Sequence, residues 1–390
     1  MLASSLLLLI SPVAYALTFQ PVQELGIGLS PSIAVDGLNV YVAWRDIRVV
    51  LLTRSGDGGQ SFSTPISVTN DINSSSFPVV AASGSYVYVA WLNINCCPIS
   101  GYPDIYFSRS TDGGISFGAS INISNNPGDS QNAIVAAEGS NVYVVWQDDT
   151  PGNYDVFIRR STDFGASFEP AINLSNSPAN SGWISLSLTG SSIYVAWSEA
   201  FTTPYGVKYV RRSTDGGATF GGTYSISTPA QTVPRVLFAS DNNVYAVWLQ
   251  QVPRVKNNPE NYDVFFARSI DGGVTFSQPI NISSNPSDSW RPRISVSGST
   301  VYVAWVDGGL TVSKGQLDRT SDLFLRQSTD AGTTFGAAVK VTDAADYTFR
   351  QDSVWYGQQY LAAAGGNVYL VWYQQIPNTY TYEVYLRRGS

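Results

Sequence analysis

This chain contains no histidine, and that limits the chemistry it can perform. Without imidazole it can build neither a Ser-His-Asp nor a Cys-His relay, nor a zinc site that needs one. Carboxylates, arginines and aromatic rings remain. Acids and amides stand just past a series of tryptophans: Arg45-Asp46, Asn93, Gln147-Asp148, Glu199, Gln250, Asp307 and Gln374. Two carboxylates about 5–10 Å apart are what a glycosidase uses. Arg235, in Pro234-Arg235-Val236, and Arg293, in Arg291-Pro292-Arg293-Ile294, read as equivalent positions of adjacent repeats. Two guanidinium groups at one mouth could grip a carboxylate bidentately. Trp290, Trp355, Tyr356 and Tyr360 could stack on a sugar ring. Arg45, Asp148, Trp290 and Asp307 are the candidates for ligand contact. The same set also reads as a solvated channel, its arginines paired to Asp307 or Glu199.

What would position these residues is a repeat. Ser-x-Asp-x-Gly-x-x-Phe occurs six times, from Ser55 to Phe62, Ser110 to Phe117, Ser161 to Phe168, Ser213 to Phe220, Ser269 to Phe276 and Ser328 to Phe335. Its aspartates, Asp57, Asp112, Asp163, Asp215, Asp271 and Asp330, are 55, 51, 52, 56 and 59 residues apart. Ser and Asp side chains can accept backbone N–H groups of the following turn, and the Gly suits a positive φ. The stretch therefore reads as a self-satisfied hairpin turn with a structural role.

A second repeat, a strand ending in Trp, occurs seven times, at Trp44, Trp91, Trp146, Trp197, Trp248, Trp305 and Trp372. Each is apolar on both faces, as a strand between two layers should be. A β-type segment and a tight Gly turn precede it; a loop of variable length, a third strand, the Ser/Asp turn and a fourth strand follow. Four short antiparallel strands in roughly 50 residues make a propeller blade. The last unit stops at Ser390, where its Ser/Asp turn should begin, and Thr18-Phe19-Gln20-Pro21-Val22 resembles the missing fourth strand. The expectation is an all-β, seven-bladed propeller of four-stranded antiparallel blades, closed by the N-terminal strand joining the C-terminal blade.

Composition bounds the setting. The net charge of −7 and the lack of a basic run argue against nucleic acid or an anionic membrane surface as partner. Leu2 to Ile10 followed by Val13-Ala14-Tyr15-Ala16 reads as a secretory signal peptide over 1–16, leaving 17–390 as one propeller domain without a membrane span. The only cysteines, Cys96 and Cys97, are adjacent, which leaves vicinal disulfide, intermolecular bridge and free thiols open. Sequons at Asn73, Asn122, Asn173 and Asn281 would permit glycosylation of an exported chain, although three share one repeat position and read equally as a strand-end turn. No cofactor is expected. Asp148-Asp149 with Asn153 and Asp155 has the oxygen ligands Ca²⁺ takes, but not the spacing of a defined calcium loop.

The Ser/Asp turn resembles the Asp-box (BNR repeat) of the sialidase-like propellers, over nearly the whole of 17–390. It departs by Gly56 for the usual Ser/Thr, by Phe164 and Ala331 at the variable place, and by a closing Phe instead of Trp. Families with this box include six-bladed exo-sialidases, xyloglucan hydrolases, sorting receptors and a photosystem assembly factor, so the resemblance speaks to fold before activity. The sialidase Phe/Tyr-Arg-Ile-Pro motif has no counterpart in Pro31-Ser32-Ile33-Ala34, and Arg293-Ile294-Ser295 is its nearest echo. Under the resemblance Arg235, Arg293, Glu199, Asp46 and Tyr356 are the catalytic candidates, none in a matching motif. The leading expectation is a secreted or envelope-associated, non-catalytic module binding glycan or extracellular protein through its variable-loop face. The alternative is a sialidase-like glycoside hydrolase with its site at the channel mouth.

Overall fold

A computed structural model describes residues 17–69, 75–94, 102–199, 207–226, 236–240, 242–253, 262–285, 287–313, 316–342, 360–376, 379 and 381–390. Among these, all the regular structure is β, in seven four-stranded antiparallel sheets. Blade 1 shows the pattern: Leu29–Asp36, Asn39–Asp46, Val49–Ser55 and the short Ile66–Ser67 pair in chain order. The first strands of successive blades contact one another in ring order, including the last with the first, so the chain is a seven-bladed β-propeller with first strands around its axis.

The second strands are buried because both faces meet another blade. All seven tryptophans are at most 5% exposed. Six stack or tilt against an aromatic ring of the third strand, as Trp146 does on Phe157 at 5.9 Å. Hydroxyls and acids join neighbouring blades: Val80 N–H donates to Ser32 Oγ, and Gly84 N–H to Asp36.

The Ser/Asp turn satisfies itself. Ser110 Oγ donates to Asp112 (2.6 Å) and accepts the Gly114 N–H (2.8 Å), while Asp112 also accepts from the Ile115 and Ser116 amides and the Ser116 hydroxyl. The turn leans on the Gly turn of its own blade, through Gly113 N–H to Ser85 O, so both lie on one face of the disk. The position before the recurring Gly of the turn is left-handed in every copy, including at Phe164 (φ 58°) and Ala331 (φ 54°). At Gly332 a Cβ would lie 2.5 Å from the Phe266 ring, so close approach as well as φ demands glycine there.

Blade 7 combines Leu361–Ala364, Asn367–Gln375 and Tyr382–Gly389 with the N-terminal Gln23–Ile27. The closing strand thus lies just after Thr18–Val22, the segment expected from sequence. Thr18–Val22 instead runs alongside the last residues, with Phe19 bridging Gly389 and Thr18 exchanging two 3.0 Å backbone bonds with Ser390. Residues 1–16, Cys96, Cys97 and the Asn73 sequon lie outside the described residues.

Candidate functional site

Among the described residues, five first strands share a break near the variable-loop end. The pairing skips from Leu29 to Ser32, Ser76 to Val79, Gln131 to Ile134, Gly182 to Ser185 and Trp290 to Arg293. At each, two residues oppose the single buried Trp of the second strand, which is a β-bulge. The first of the two is left-handed in every case: Ser30, Phe77, Asn132, Trp183 and Arg291, with φ of 51–54°. Such a φ costs an L-residue about 1–2 kcal/mol. Pro31, Pro78 and Pro292 take the second place, where no ladder N–H is missed. Among the described residues, the bulges thus set five side chains at one register of the fold.

Arg291 opens one such bulge, Arg293 follows it, and both meet blade 7. The Arg293 guanidinium lies over the Tyr360 ring, 5.5 Å from its centroid, and the Tyr360 hydroxyl donates to the Arg291 carbonyl. Burial pulls the Arg293 pKa below the ordinary arginine value, with Tyr360 opposing. Burial pushes Tyr360 up to about 12, against Arg293 and Arg291. Tyr373 is likewise raised to about 12, mainly by burial, and Arg291 opposes it. Trp290, half-buried, packs against the core that joins blades 6, 7 and 1. Two cations and aromatic surface therefore meet between blades 6 and 7.

The partner expected for Arg293 is not in register with it. Arg293 pairs with Ala304, directly before Trp305, whereas Val236 pairs with Val247, directly before Trp248. Val236, not Arg235, therefore holds the equivalent place: Arg293 stands twelve residues before Trp305, and Arg235 stands thirteen before Trp248. Arg235, Trp355 and Tyr356 themselves lie outside the described residues.

The acids and amides after the tryptophans sit on second strands, one strand out from the axis. Asp148 is fully buried and accepts from Asn126, Ser130 (2.7 Å), the Trp146 indole (3.2 Å) and the Thr150 amide (2.9 Å). Glu199 and Gln250 accept the Trp197 and Trp248 indoles at 3.2 and 3.4 Å. Asp307 accepts from Asn285 and Ser289, both at 2.6 Å, and burial raises its pKa to about 6 against those bonds. Arg45 donates to the Ile47 carbonyl at 3.0 Å, and Asp46 ends the same strand in blade 1. Asp46, Glu199 and Arg293 thus belong to three different blades.

Asp155 is engaged by Asn173, Ser175 and the Ser177 amide, and Asn153 by the Ser177 and Ala179 carbonyls. No group of three or more acids that could hold a metal forms among the described residues. Asn122, Asn173 and Asn281 each donate to an aspartate at the start of the third strand and accept a turn amide. The strand-end turn accounts for these three Asn-x-Ser triplets.

Sequence reasoning passed over Arg291, Trp183 and Lys208. Trp183 is 52% exposed, and its carbonyl accepts from the fully buried Lys208 at 2.5 Å. The signals were present: each bulge residue stands fourteen positions before its tryptophan, and Lys208 occupies a place where other blades carry Val, Ile or Leu.

No family model matches the chain, and no curated protein does. Solved structures do. Polysaccharide lyase Uly1 aligns over 92% of this chain and 89% of its own, at 11% identity and a TM-score of 0.57. A PL25 ulvan lyase bound to -[GlcA(1-4)Rha3S]- aligns over 93% and 91%, at 10% identity and a TM-score of 0.54. A protein of unknown function from Dyadobacter fermentans aligns over 95% and 98%, at 13% identity and a TM-score of 0.51. At such identities the likeness is one of fold.

Proposed function

We propose that this chain is an exported Asp-box propeller that binds an acid-bearing glycan at the variable-loop mouth of its channel, without turning it over. The observation that carries the reading is the Arg293 guanidinium over the Tyr360 ring between blades 6 and 7, with the Tyr360 hydroxyl held by the backbone carbonyl of Arg291. In a chain of net charge −7, two arginines set beside aromatic surface fit a ligand with a carboxylate or sulfate on an apolar ring. The solved structures of like fold support the ligand class, since one holds a glucuronate–sulfated rhamnose repeat and another is named a polysaccharide lyase. Binding rather than hydrolysis is favoured because Asp46 and Glu199 stand in other blades than Arg293, and Glu199 is tied to Trp197.

The test is a glycan array carrying uronate, sialate, sulfated and neutral oligosaccharides, run with chain 17–390 beside a reducing-end assay and an assay for unsaturated uronate. The expected result is salt-sensitive binding to acid-bearing glycans, reduced about tenfold or more by Arg291→Ala, with no product. Binding without acid preference would sink the reading. Product formation lost in Arg293→Ala or Glu199→Ala would replace it with the glycosidase or lyase alternative.

A further inference from the structure

One position of the third strand lies directly across from the residue that follows the second-strand tryptophan. Val50, Ile105, Val156, Val264, Leu323 and Val384 fill it in six blades, each at most 2% exposed. Blade 4 has Lys208 there, buried to 0% exposure like the aliphatics it replaces. Taking an ammonium out of water is costly, so one lysine in a ring of Val, Ile and Leu breaks the packing rule for a reason other than packing.

The structure supplies the reason. Lys208 lies beside Ser198, a small residue where the other blades carry Arg45, Leu92, Gln147, Leu249, Val306 or Tyr373. Its Nζ donates at 2.5 Å to the carbonyl of Trp183, on the far side of the second strand. Trp183 is the bulge residue of blade 4, at φ 52°. A bulge takes its carbonyl out of the ladder, and the lysine gives that carbonyl a charged donor. A bulky residue in the left-handed region persists only where its surroundings hold it. Ser181 and Gly182 before it are buried, while Trp183 is 52% exposed. It stands at the same register as Phe77, Asn132 and Arg291, on the ring nearest the axis.

We propose that Trp183 is a preorganised platform on which a sugar ring stacks at the variable-loop mouth, with Lys208 as its positioning residue. This rests on the glycan reading above and names the part of the ligand that Arg291 does not hold. A pyranose face offers a row of C–H groups to the indole, and burying the exposed ring supplies apolar area. A backbone already fixed by Lys208 loses little freedom on binding. Trp183 reads the ring and Arg291 reads the acid.

Calorimetric titration of chain 17–390 with oligogalacturonate and with neutral xylohexaose separates these claims. Trp183→Ala is expected to weaken both by about tenfold or more, and Trp183→Phe to recover most of the loss. Arg291→Ala is expected to remove only the preference for the acid. Lys208→Met is expected to weaken both probes several-fold at an unchanged melting temperature. In 5-fluorotryptophan protein it should also shift or broaden the one fluorine resonance that Trp183→Phe deletes. Undiminished binding by Trp183→Ala overturns the platform and leaves the glycan reading standing. No binding of either probe by the unmutated chain removes both. Unchanged binding and resonance in Lys208→Met overturns the positioning role.

Discussion

The ammonium of Lys208 and the carbonyl oxygen of Trp183 lie 2.5 Å apart across the middle of blade 4, joining residues 25 apart in sequence. A buried cation is held there by a bulge, and a bulge by a buried cation. Removing the charge relieves its desolvation but leaves a buried carbonyl short of a donor. Lys208→Met should therefore stay within about 1 kcal/mol of the unmutated chain, whereas Lys208→Ala should lose about 2–4 kcal/mol to the cavity. Urea unfolding of both variants measures the difference.

The Ser/Asp turns should set the acid limit of the fold. In Asp112, the Ser110 hydroxyl first, then Ser116 through side chain and backbone, hold the carboxyl well below the usual carboxylate range. A depressed folded pKa contributes stability that is complete above the unfolded value of about 4 and is lost as pH falls through the folded one. The stability gap between the unmutated chain and Asp112→Asn should be constant from pH 8 to about 5 and shrink below about 4. A gap that widens in acid would contradict the turn's charge-assisted bonding.

Asp307 should act in the opposite sense. Burial raises its pKa to about 6, although Ser289 and Asn285 donate to it. The folded chain then holds this proton more tightly than the unfolded one, so its contribution is full below about pH 4 and falls as pH rises to about 6. Asp307→Asn should flatten that slope and compare better with the unmutated chain at pH 8 than at pH 4. Denaturation at the two values checks it.

Ala331 and Gly332 test what the turn demands of its backbone. Ala331 holds φ 54° without glycine's freedom, so Ala331→Gly should gain about 0.5–1 kcal/mol, the relief of φ exceeding the added flexibility of the unfolded chain. Gly332→Ala should lose about 2 kcal/mol or more, since its Cβ would meet the Phe266 ring at 2.5 Å and φ is 79°. Thermal midpoints moving in opposite directions are the expected result.

Much of this architecture was legible in the chain itself. The Ser/Asp turn and the strand ending in Trp are each made by neighbours in sequence, through hydrogen bonds spanning two to four residues and through alternation along a strand. Local chemistry repeated at a regular period therefore sufficed to count blades, and three strands left over at one end with a single strand at the other foretold closure within a few residues. The site was legible only in outline. Arg293 was visible as a candidate, but its meeting with Tyr360 depends on how blade 7 packs on blade 6. Its supposed twin was misjudged by a count the chain itself carries, twelve residues from Arg293 to Trp305 against thirteen from Arg235 to Trp248, and one residue of register exchanges the faces of a strand. Asp148 looked like a ligand-facing acid until burial against its own blade consumed its oxygens. Lys208 was a lone departure from an aliphatic column, and what it reaches was decided by the ring. Periodic, short-range bonding determined the scaffold from sequence; the placement of charge against aromatic surface was decided by packing between and across blades, where distance in the chain carries no information.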